Sequence, residues 1–469
     1  MLSLQFLGAA GQVTGSKYFL RSATSRGILV DCGLFQGPRA LRDMNWTDLP
    51  IHIGQIGNIL ITHAHLDHIG YLPRIVRRGY HNPIFATEAT IEVASYVLRD
   101  SAHLQEEDVK TANKHGYSRH KPALPLYTSE DAENTLRLFQ EIKRHKKKVL
   151  DDNISAEYFN AGHILGSSFI KVEKRYSDKD PISILFSGDI GRQIPIYLQP
   201  KEAAPAADFI ICESTYGDRE HKHIPPFEEL KTIILEAIKS RSVVLIPAFA
   251  VDRSQELLFC LNALMRDGEI PDTLPVYVDS PMAAGVTYIY DKFSEEHTFT
   301  TDELNEPDKN PLRFKSLRIV GTPDESKRLN DLSGPAIIIS ASGMATGGRI
   351  MHHLLNRLNK PDTIVLFTGF QAEETLGRVL IEGEKQVHIH GEQVEVRARI
   401  EKLNSFSGHA DRREIIDWLK TAPAAPKRLF LTHGEDTARK ALKEAVEKEL
   451  GWTVVLPKLG EIVDLEAIG

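Results

Sequence analysis

The sequence predicts an α/β protein in which a β-rich domain is interrupted by a compact domain with a different α/β pattern. Three observations support this prediction. The first two hundred residues alternate short apolar β runs with turns and few helices, whereas strand–helix–strand units begin at about Asp208. Past about Gln386 the short strands return. A chain of 469 residues also has room for two or three domains at about 150 residues each.

In the first part, runs rich in branched and aromatic residues predict strands. They are Leu2–Leu7, Tyr18–Arg21, Gly27–Asp31, Asn58–Thr62, Pro83–Ala86, Ile154–Asn160, Phe169–Lys174 and Ile182–Ser187. Apolar residues at helical spacing predict helices over Ile69–Arg78, Glu88–Lys114 and Ser129–Lys147. The last of these ends in the basic run Lys143–Lys148, which we interpret as a solvated helix end.

In the middle part, strands and helices alternate as in a parallel sheet with crossover helices. The predicted strands are Phe209–Cys212, Val243–Pro247, Val276–Val278, Ala336–Ser340 and Thr363–Thr368, and the predicted helices are Phe227–Ser240 and Ser254–Asp267. The stretch Thr301–Lys315, rich in Pro, Asp and Asn, predicts a surface excursion. After Gln386 we expect a helix over Arg412–Lys420, a strand over Arg428–Thr432 and a terminal helix.

Composition excludes several classes of protein. Lys and Arg total 57 against 64 Asp and Glu, so the formal net charge of −7 excludes a globally basic nucleic-acid coat but not a local basic groove. Cys32, Cys212 and Cys260 form no CxxC pair, and we expect them to be buried, reduced residues. No apolar run approaches the roughly 20 residues that span a bilayer. We therefore expect a soluble, cytoplasmic protein without a membrane partner.

The strongest functional signal is the segment His63-Ala-His65-Leu-Asp67-His68, which directly follows an apolar strand. Imidazole and carboxylate are the ligands that Zn²⁺, Mn²⁺ and Fe²⁺ prefer, and a loop at a strand end can direct several of them to one place. His63 and His65 could share one ion while Asp67 and His68 bind a second. A polar loop that happens to hold three histidines is the alternative.

Three further polar side chains follow apolar β runs, namely Asp31, His163 and Asp189. Small residues beside them would let the backbone approach a ligand closely. Alone, His163 could be a structural histidine and Asp189 a turn residue. Together with the histidine-rich segment, they predict metal ligands.

These residues resemble the metal site of the metallo-β-lactamase superfamily, and much of the remaining chain resembles its nucleic-acid-processing branch, the β-CASP nucleases. The supporting segments are IICESTYGDR with Glu213, Ser407-Gly-His409-Ala-Asp411, Thr432-His433-Gly-Glu435, IPAFAVDRSQELL, IIISASGMATGGR and GFQAEETLGR. The resemblance implies a discontinuous αββα sandwich over residues 1–208 and 386–469, with a β-CASP α/β domain inserted at 209–385.

Carried over residue by residue, the family pattern implies two metal ions bridged by one carboxylate. The first ion would be held by His63, His65 and His163, and the second by Asp67, His68 and His433, with Asp189 as the bridge. Asp31 would orient a ligand histidine. We expect two zinc ions, with manganese or iron also compatible with a site made only of histidine and aspartate.

Such a site suits phosphodiester hydrolysis, because two metals bind the phosphate and lower the pKa of a shared water. The leaving ribose oxygen needs a proton, which the Glu213–His409 pair implied by the resemblance can deliver. The catalytic residues we expect are Asp67, Asp189, Glu213 and His409. Small residues and arginines before helices in the insertion would bind phosphates. The substrate-binding candidates are Arg253, Ser340, Ser342, Gly343, Arg349 and Ser407.

We interpret the protein as a metal-dependent ribonuclease. Its expected substrate is single-stranded RNA, which can thread a narrow cleft. A homodimer is compatible with the sequence. Two other functions are the alternatives. A small-molecule metallohydrolase is disfavoured because it needs no domain-sized insertion. A non-catalytic RNA-binding scaffold is disfavoured because it need not keep every ligand position filled. A DNA nuclease is disfavoured because the DNA-specific members of the family lack a histidine at the position of His433. Endonucleolytic and 5′→3′ exonucleolytic cutting both stay open.

Overall fold

The structure is a computed structural model that describes residues 2–22, 25–116, 121–221, 226–306, 309–369, 371–403 and 406–468. The chain divides into two compact units. The first unit comprises Met1–Glu220 together with His409–Gly469, and the second comprises His221–Gly408. A β-rich unit built from both ends of the chain and an inserted unit are what the sequence pattern predicts.

The strands are numbered in chain order. In the first unit they are β1 Leu2–Phe6, β2 Tyr18–Ser22, β3 Gly27–Val30, β4 Ile56–Leu60, β5 Ile84–Ala86, β6 Phe139–Glu141, β7 Lys148–Asp151, β8 Ile154–Asn160, β9 Ser168–Lys174, β10 Ile182–Phe186 and β11 Phe209–Cys212. In the second unit they are β12 Val243–Pro247, β13 Val276–Asp279, β14 Leu317–Ile319, β15 Ala336–Ser340, β16 Thr363–Phe367, β17 Gln386–Ile389, β18 Glu392–Glu395 and β19 Arg399–Lys402. The first unit resumes with β20 Arg428–Leu431, β21 Val454–Val455 and β22 Ile462–Asp464.

The helices follow the same order. Those of the first unit are α1 Arg39–Met44, α2 Leu66–Ile69, α3 Leu72–Arg77, α4 Glu88–His115 and α5 Ser129–Leu136. Those of the second unit are α6 Pro226–Ser240, α7 Arg253–Arg266, α8 Pro281–Tyr290, α9 Thr301–Asn305, α10 Pro323–Arg328, α11 Arg349–Arg357 and α12 Leu376–Ile381. The first unit then ends with α13 Arg412–Lys420 and α14 Asp436–Leu450. Short 3₁₀ turns occupy Ile53–Gln55, Ser294–Glu296 and Leu329–Asp331.

Within the described residues, the first unit is a sandwich of two seven-stranded sheets, ordered β22-β1-β2-β3-β4-β5-β6 and β21-β20-β11-β10-β9-β8-β7. Apolar side chains such as Val30, Ile184 and Phe430 fill the core between the sheets. Helices α13 and α14 cover the other face of the second sheet through Leu419 and Leu442. Helix α4 packs against α5 and the edge strand β6. The architecture is therefore the expected αββα sandwich.

The second unit is built on a parallel sheet. In the described residues its strand order is β14-β13-β15-β12-β16-β19, and every pairing is parallel. Strands β17 and β18 form a separate antiparallel hairpin. Ile338, Val365 and Leu354 belong to the core between this sheet and its helices. This is the crossover pattern that the alternation of strands and helices predicts.

The divisions between the units differ from the predicted boundaries at 208/209 and 385/386. Strand β11 pairs with β10 and β20, so residues just after 208 belong to the first unit. At the other end, β19 pairs with β16, so residues 386–408 belong to the second unit. Strand pairing between distant segments decides both divisions. A local change in the pattern of strands and helices along the sequence does not show which strands pair.

Three predicted elements differ in the structure. The predicted helix Ser129–Lys147 ends at Leu136, because Phe139–Glu141 adds as a parallel edge strand beside β5. The predicted helix Ile69–Arg78 is two short helices, since Pro73 stands in the first turn of α3 and cannot continue a helix from α2. The predicted surface excursion Thr301–Lys315 includes α9 and the buried Asn310 and Leu312, while residues 307 and 308 lie outside the described residues.

Two expectations from composition also have an outcome. All three cysteines are buried and free, as expected. Across the part of the chain that the structure describes, no helix is both long enough and apolar enough to cross a membrane.

Candidate metal centre

The sheet topology brings one set of strand ends together. Strands β3 and β4 run parallel, as do β10, β11 and β20, and β8 has the direction of β10 because β9 lies antiparallel between them. The polar residues that follow these strands are Asp31, His63, His163, Asp189, Glu213 and His433. Parallel strands place their carboxyl ends at one edge of a sheet, so side chains far apart in sequence can meet there.

Close backbone packing shapes this edge. Gly188 has φ +53°, and a Cβ there would lie 2.7 Å from Cβ of Thr62. Gly33 contacts the backbone of α2 so closely that a Cβ would lie 1.5 Å from the carbonyl oxygen of Asp67. These glycines let the loops after β3 and β10 approach the loop after β4.

The first group of converging side chains contains His63, His65, His163 and Asp189. Nδ1 of His65 lies 3.1 Å from Nε2 of His63 and 3.2 Å from Nε2 of His163. Oδ2 of Asp189 lies 3.4 Å from Nε2 of His63 and 3.6 Å from Nε2 of His163. Ligand atoms about 2.0–2.1 Å from a tetrahedral zinc ion stand about 3.3 Å apart, so the separations fit such an ion.

The second group contains Asp67, His68 and His433. Nε2 of His433 lies 3.3 Å from Nε2 of His68 and 3.2 Å from Oδ2 of Asp67. The other carboxylate oxygen of Asp189, Oδ1, lies 3.4 Å from Nε2 of His68. Within each group the candidate ligand atoms all lie within 4.8 Å of one another.

Asp189 stands between the groups, with Oδ2 towards the first and Oδ1 towards the second. Although the residue is only 2% exposed, its Oδ1 has no hydrogen-bond partner. A buried carboxylate oxygen without a donor is costly, and a cation would satisfy it. Burial and neighbouring imidazoles hold the pKa values of His63 and His65 well below the usual range. Burial lowers the pKa values of His68 and His433 too, but the charge of Asp189 and hydrogen bonds to carboxylates outweigh it and raise them, so a metal ion would displace a proton from these two rings. The donor set therefore fits metal ions.

Asp31 lies directly behind the second group. It is fully buried, with φ 57°, and Oδ2 accepts a 2.7 Å hydrogen bond from Nδ1 of His68. The same carboxylate accepts bonds of 2.8 Å from the backbone N–H and the hydroxyl of Thr62. Because Nδ1 of His68 donates to Asp31, Nε2 keeps its lone pair for a metal.

Glu213 has a comparable place behind His409 and His433. Its carboxylate accepts hydrogen bonds from Nδ1 of His409 at 3.1 Å, from the hydroxyl of Thr215 at 2.6 Å and from the backbone N–H of Ile190 at 2.5 Å. Nδ1 of His433 lies 3.1 Å from the same threonine oxygen. The buried carboxylate is therefore linked to both histidines.

His409 is the more accessible partner of this pair, with 18% of its side chain exposed against none of Glu213. Burial lowers the pKa of His409, but the charge and hydrogen bond of Glu213 outweigh that effect and raise it to about 9. The imidazole is thus cationic at neutral pH. Since Nδ1 faces Glu213, the proton that it can transfer is the one on Nε2.

Thr62 and Thr215 are the residues at this site that the sequence analysis missed. Each hydroxyl joins a buried carboxylate to a histidine ring. Their positions offered a signal, because Thr62 directly precedes His63 and Thr215 follows Glu213 by two residues.

The predicted substrate-binding residues of the second unit have partners of their own. Nη1 of Arg349 lies 2.6 Å from Oδ1 of the buried Asp279, and the guanidinium also donates to the carbonyl oxygens of Val320 and Gly321. Arg253 is buried and forms an ion pair with Glu256. Both arginines therefore contribute to the fold, and their contact with a substrate stays a prediction.

The candidate small residues also serve their own loop. The hydroxyl of Ser340 donates to the carbonyl oxygen of Asp279, and that of Ser342 accepts from the N–H of Thr346. A Cβ at Gly343 would lie 2.7 Å from the ring of Phe249. Ser407 is buried near the end of the second unit. Substrate contacts for these four residues likewise stay predictions.

Comparisons with known families cover much of the chain. Residues 20–186 match a metallo-β-lactamase superfamily domain, and residues 254–380 match a β-CASP domain. Residues 393–457 match a domain described as a Zn-dependent metallo-hydrolase RNA specificity domain. The first match lies in the first unit and the second match in the second unit, whereas the third match begins in the second unit and continues into the first.

Similar whole proteins exist in bacteria and archaea. The chain is 34% identical over 455 residues to the Thermus thermophilus protein named ribonuclease TTHA0252, covering 97% of this chain and 98% of the relative. It is 28% identical to an RNase J-like protein of Methanocaldococcus jannaschii over 99% of this chain and all of the relative. It is 27% identical to transcription termination factor FttA of the same organism, covering 93% of this chain and 67% of that protein.

A solved structure shares the fold. The crystal structure of a protein of unknown function from Enterococcus faecalis matches with a TM-score of 0.51 and 12% identity, covering 98% of this chain and 99% of that one. At this identity the likeness shows the fold alone.

Proposed function

The chain belongs to the β-CASP family of the metallo-β-lactamase superfamily, and from this premise we propose that it is a ribonuclease that hydrolyses phosphodiester bonds of single-stranded RNA with two zinc ions. The observation that carries the proposal is the position of Asp189, whose two carboxylate oxygens face two separate groups of ligand atoms. The ribonuclease names of the relatives in Thermus thermophilus and Methanocaldococcus jannaschii support RNA as the substrate.

The two zinc ions would be held by His63, His65 and His163 on one side, by Asp67, His68 and His433 on the other, and by Asp189 between them. When bound, they supply positive charge for the phosphodiester and lower the pKa of a water molecule towards neutrality. Asp67 and Asp189 offset part of that positive charge, which lets an anionic product leave.

The protein residues around this centre have two tasks, which are to orient the ligand histidines and to transfer a proton. Asp31 holds His68, and the hydroxyls of Thr62 and Thr215 hold His63 and His433. His409, kept cationic by Glu213, gives the proton on Nε2 to the leaving ribose oxygen. His409 belongs to none of the groups of possible ligand atoms. The carboxylate of Glu213 lies near Asp189 and His433, but it already accepts hydrogen bonds from His409, Thr215 and the backbone N–H of Ile190.

The test is cleavage of single-stranded RNA. Linear substrates carry a label at one end and either a 5′-monophosphate or a 5′-triphosphate, and a circular substrate of the same sequence has no ends. We expect metal-dependent cleavage of single-stranded RNA and none of the matched DNA. Cut circles would establish endonuclease activity, whereas release of mononucleotides from the 5′ end of linear RNA, with circles left uncut, would establish a 5′→3′ exonuclease. Failure to cut any RNA, with hydrolysis of a thioester or lactone instead, would replace the proposal by a small-molecule hydrolase.

A further inference from the structure

The basic run Lys143–Lys148 has a different place in the structure from the solvated helix end that its sequence suggested. It connects β6 with β7, which are the edge strands of the two sheets. We call Lys143–Lys148 the basic edge segment. Six consecutive residues that are Lys, Arg or His are unexpected in a chain with a formal net charge of −7. Their concentration at one edge therefore needs an explanation.

Backbone hydrogen bonds direct the basic edge segment towards the metal centre. The N–H of His145 donates to the carbonyl oxygen of Tyr158, which continues the pairing of β7 with β8 beyond Lys148. Going back from Lys148 to Lys143, the chain follows β8 towards its carboxyl end, the end that leads to His163. The segment thus extends towards the end of the sheet at which β8 finishes and the metal ligands lie.

Arg144 attaches the segment to the loop that carries His163. Its Nη2 donates to the carbonyl oxygen of Ser167 at 3.0 Å, and its Nε donates to the hydroxyl of Ser168 at 3.2 Å. The hydroxyl of Ser167 in turn accepts the backbone N–H of His163 at 2.9 Å. One residue, Ser167, therefore links the basic edge segment to a proposed metal ligand through two hydrogen bonds.

Two ammonium groups of the segment are available for another partner. Lys147 pairs with Glu173 at 2.7 Å and His145 with Glu202 at 3.3 Å. Lys143 and Lys146 are exposed, and among the described residues neither forms an ion pair. The N–H of Lys146 donates to the carbonyl oxygen of Lys143, so the two lysines begin and end one turn with their Cα atoms less than about 7 Å apart.

We propose that Lys143 and Lys146 bind the phosphodiester backbone of single-stranded RNA beside the metal centre, an inference that rests on the proposed ribonuclease function. Lysine ammonium groups contact phosphates as point charges and do not distinguish one base from another. This property suits a nuclease surface that binds the RNA strand next to the phosphodiester bond that is cleaved. The turn places two such charges at neighbouring positions, and Arg144 fixes the turn to the loop of His163.

The experiment measures binding of a fluorescently labelled, single-stranded oligoribonucleotide by anisotropy at several salt concentrations. The parent is a His409→Ala variant that retains its metals, so that RNA stays intact. The test variant adds Lys143→Gln and Lys146→Gln, leaving Arg144 in place. The control adds Lys448→Gln and Lys458→Gln, two exposed lysines in the last turn of α14 and in the loop after β21. Both variants remove the same amount of charge.

We expect the test variant to bind RNA roughly tenfold more weakly at low salt, with a plot of log affinity against log salt whose slope is smaller by about 1.4, because two single-strand phosphate contacts are lost. Metal content per chain should equal that of the parent. Equal binding by the test variant and the control would overturn this inference while leaving the proposed function intact. Absence of RNA binding by the parent itself would remove the proposed function and this inference together.

Discussion

The hydroxyl of Thr215 donates to Oε2 of Glu213 over 2.6 Å, and the hydroxyl oxygen of Thr215 lies 3.1 Å from Nδ1 of His433. A hydroxyl has one proton, and the short bond to the carboxylate takes it. Nδ1 of His433 must therefore be the donor to the threonine oxygen, which leaves the lone pair on Nε2. Thr62 repeats the arrangement between Asp31 and His63, with distances of 2.8 and 3.1 Å. One threonine thus sets the tautomer of a histidine in each group.

Replacing Thr215 by Val keeps the side-chain shape and removes the hydroxyl. We expect roughly 10–100-fold weaker metal binding, because Nδ1 of His433 loses the partner that fixes its tautomer. Competition with a chelator of known affinity measures this loss. Thr215→Ser should restore most of the affinity, since it returns the hydroxyl. A serine variant as weak as the valine variant would show that packing of the methyl group matters instead.

Replacing Asp189 by Asn should lower retained metal and reduce phosphodiesterase activity by orders of magnitude while the fold survives. The amide presents only one oxygen, whereas the structure directs two carboxylate oxygens at two groups. Elemental analysis and circular dichroism of the same preparation separate loss of metal from loss of fold. Turnover near that of the parent would remove Asp189 from the bridging position.

Replacing His409 by Ala should lower the rate on RNA roughly 10²–10⁴-fold. The loss should be far smaller on a nitrophenyl phosphodiester, whose leaving group needs no proton. Metal content should stay at the parent level, because the ligand groups do not include His409. Equal losses on both substrates would assign the pair to a structural role.

The pH profile tests the link between Glu213 and His409. The pKa of His409 is raised to about 9, so the cationic acid persists at neutral pH and activity should fall as pH rises through that value. Glu213→Gln removes the negative charge that favours the imidazolium. The alkaline limb of kcat should then move down towards the usual histidine pKa of about 6.5. An unchanged limb would show that another group controls it.

Arg349 offers a contrast between a structural and a substrate-binding role. Asp279 is fully buried and pairs with Arg349 at 2.6 Å, so Arg349→Ala leaves a buried carboxylate short of one partner. Because His353 and Ser326 still bind the other carboxylate oxygen, we expect the second unit to lose about 1–3 kcal/mol of unfolding free energy in chemical denaturation. Arg318→Ala, at an exposed site, is the control. Undiminished stability together with salt-dependent loss of RNA affinity would instead favour the predicted phosphate contact.

The sequence by itself determined the class of fold and the proposed ligand set. Local spacing was sufficient to predict candidate metal ligands where they lie within a few residues of one another, as in the segment from His63 to His68. It was also sufficient where a polar residue follows an apolar run, as at Asp189. The resemblance to a family supplied His433 and the pairing of Glu213 with His409. Local pattern misled where one spacing suits two structures, as in the predicted helix over Ser129–Lys147 that gives way to an edge strand.

Only the tertiary structure decided how these residues act together. Parallel strand ends bring Asp31 within 2.7 Å of His68. The threonine links form only because β3 lies beside β4 in one sheet and β11 beside β20 in the other. The same is true of Arg349, which the sequence presents as a free cation and the fold pairs with Asp279. Sequence spacing carries the periodicity of single elements, whereas hydrogen bonds and ion pairs between elements depend on sheet order and register, which long-range pairing sets.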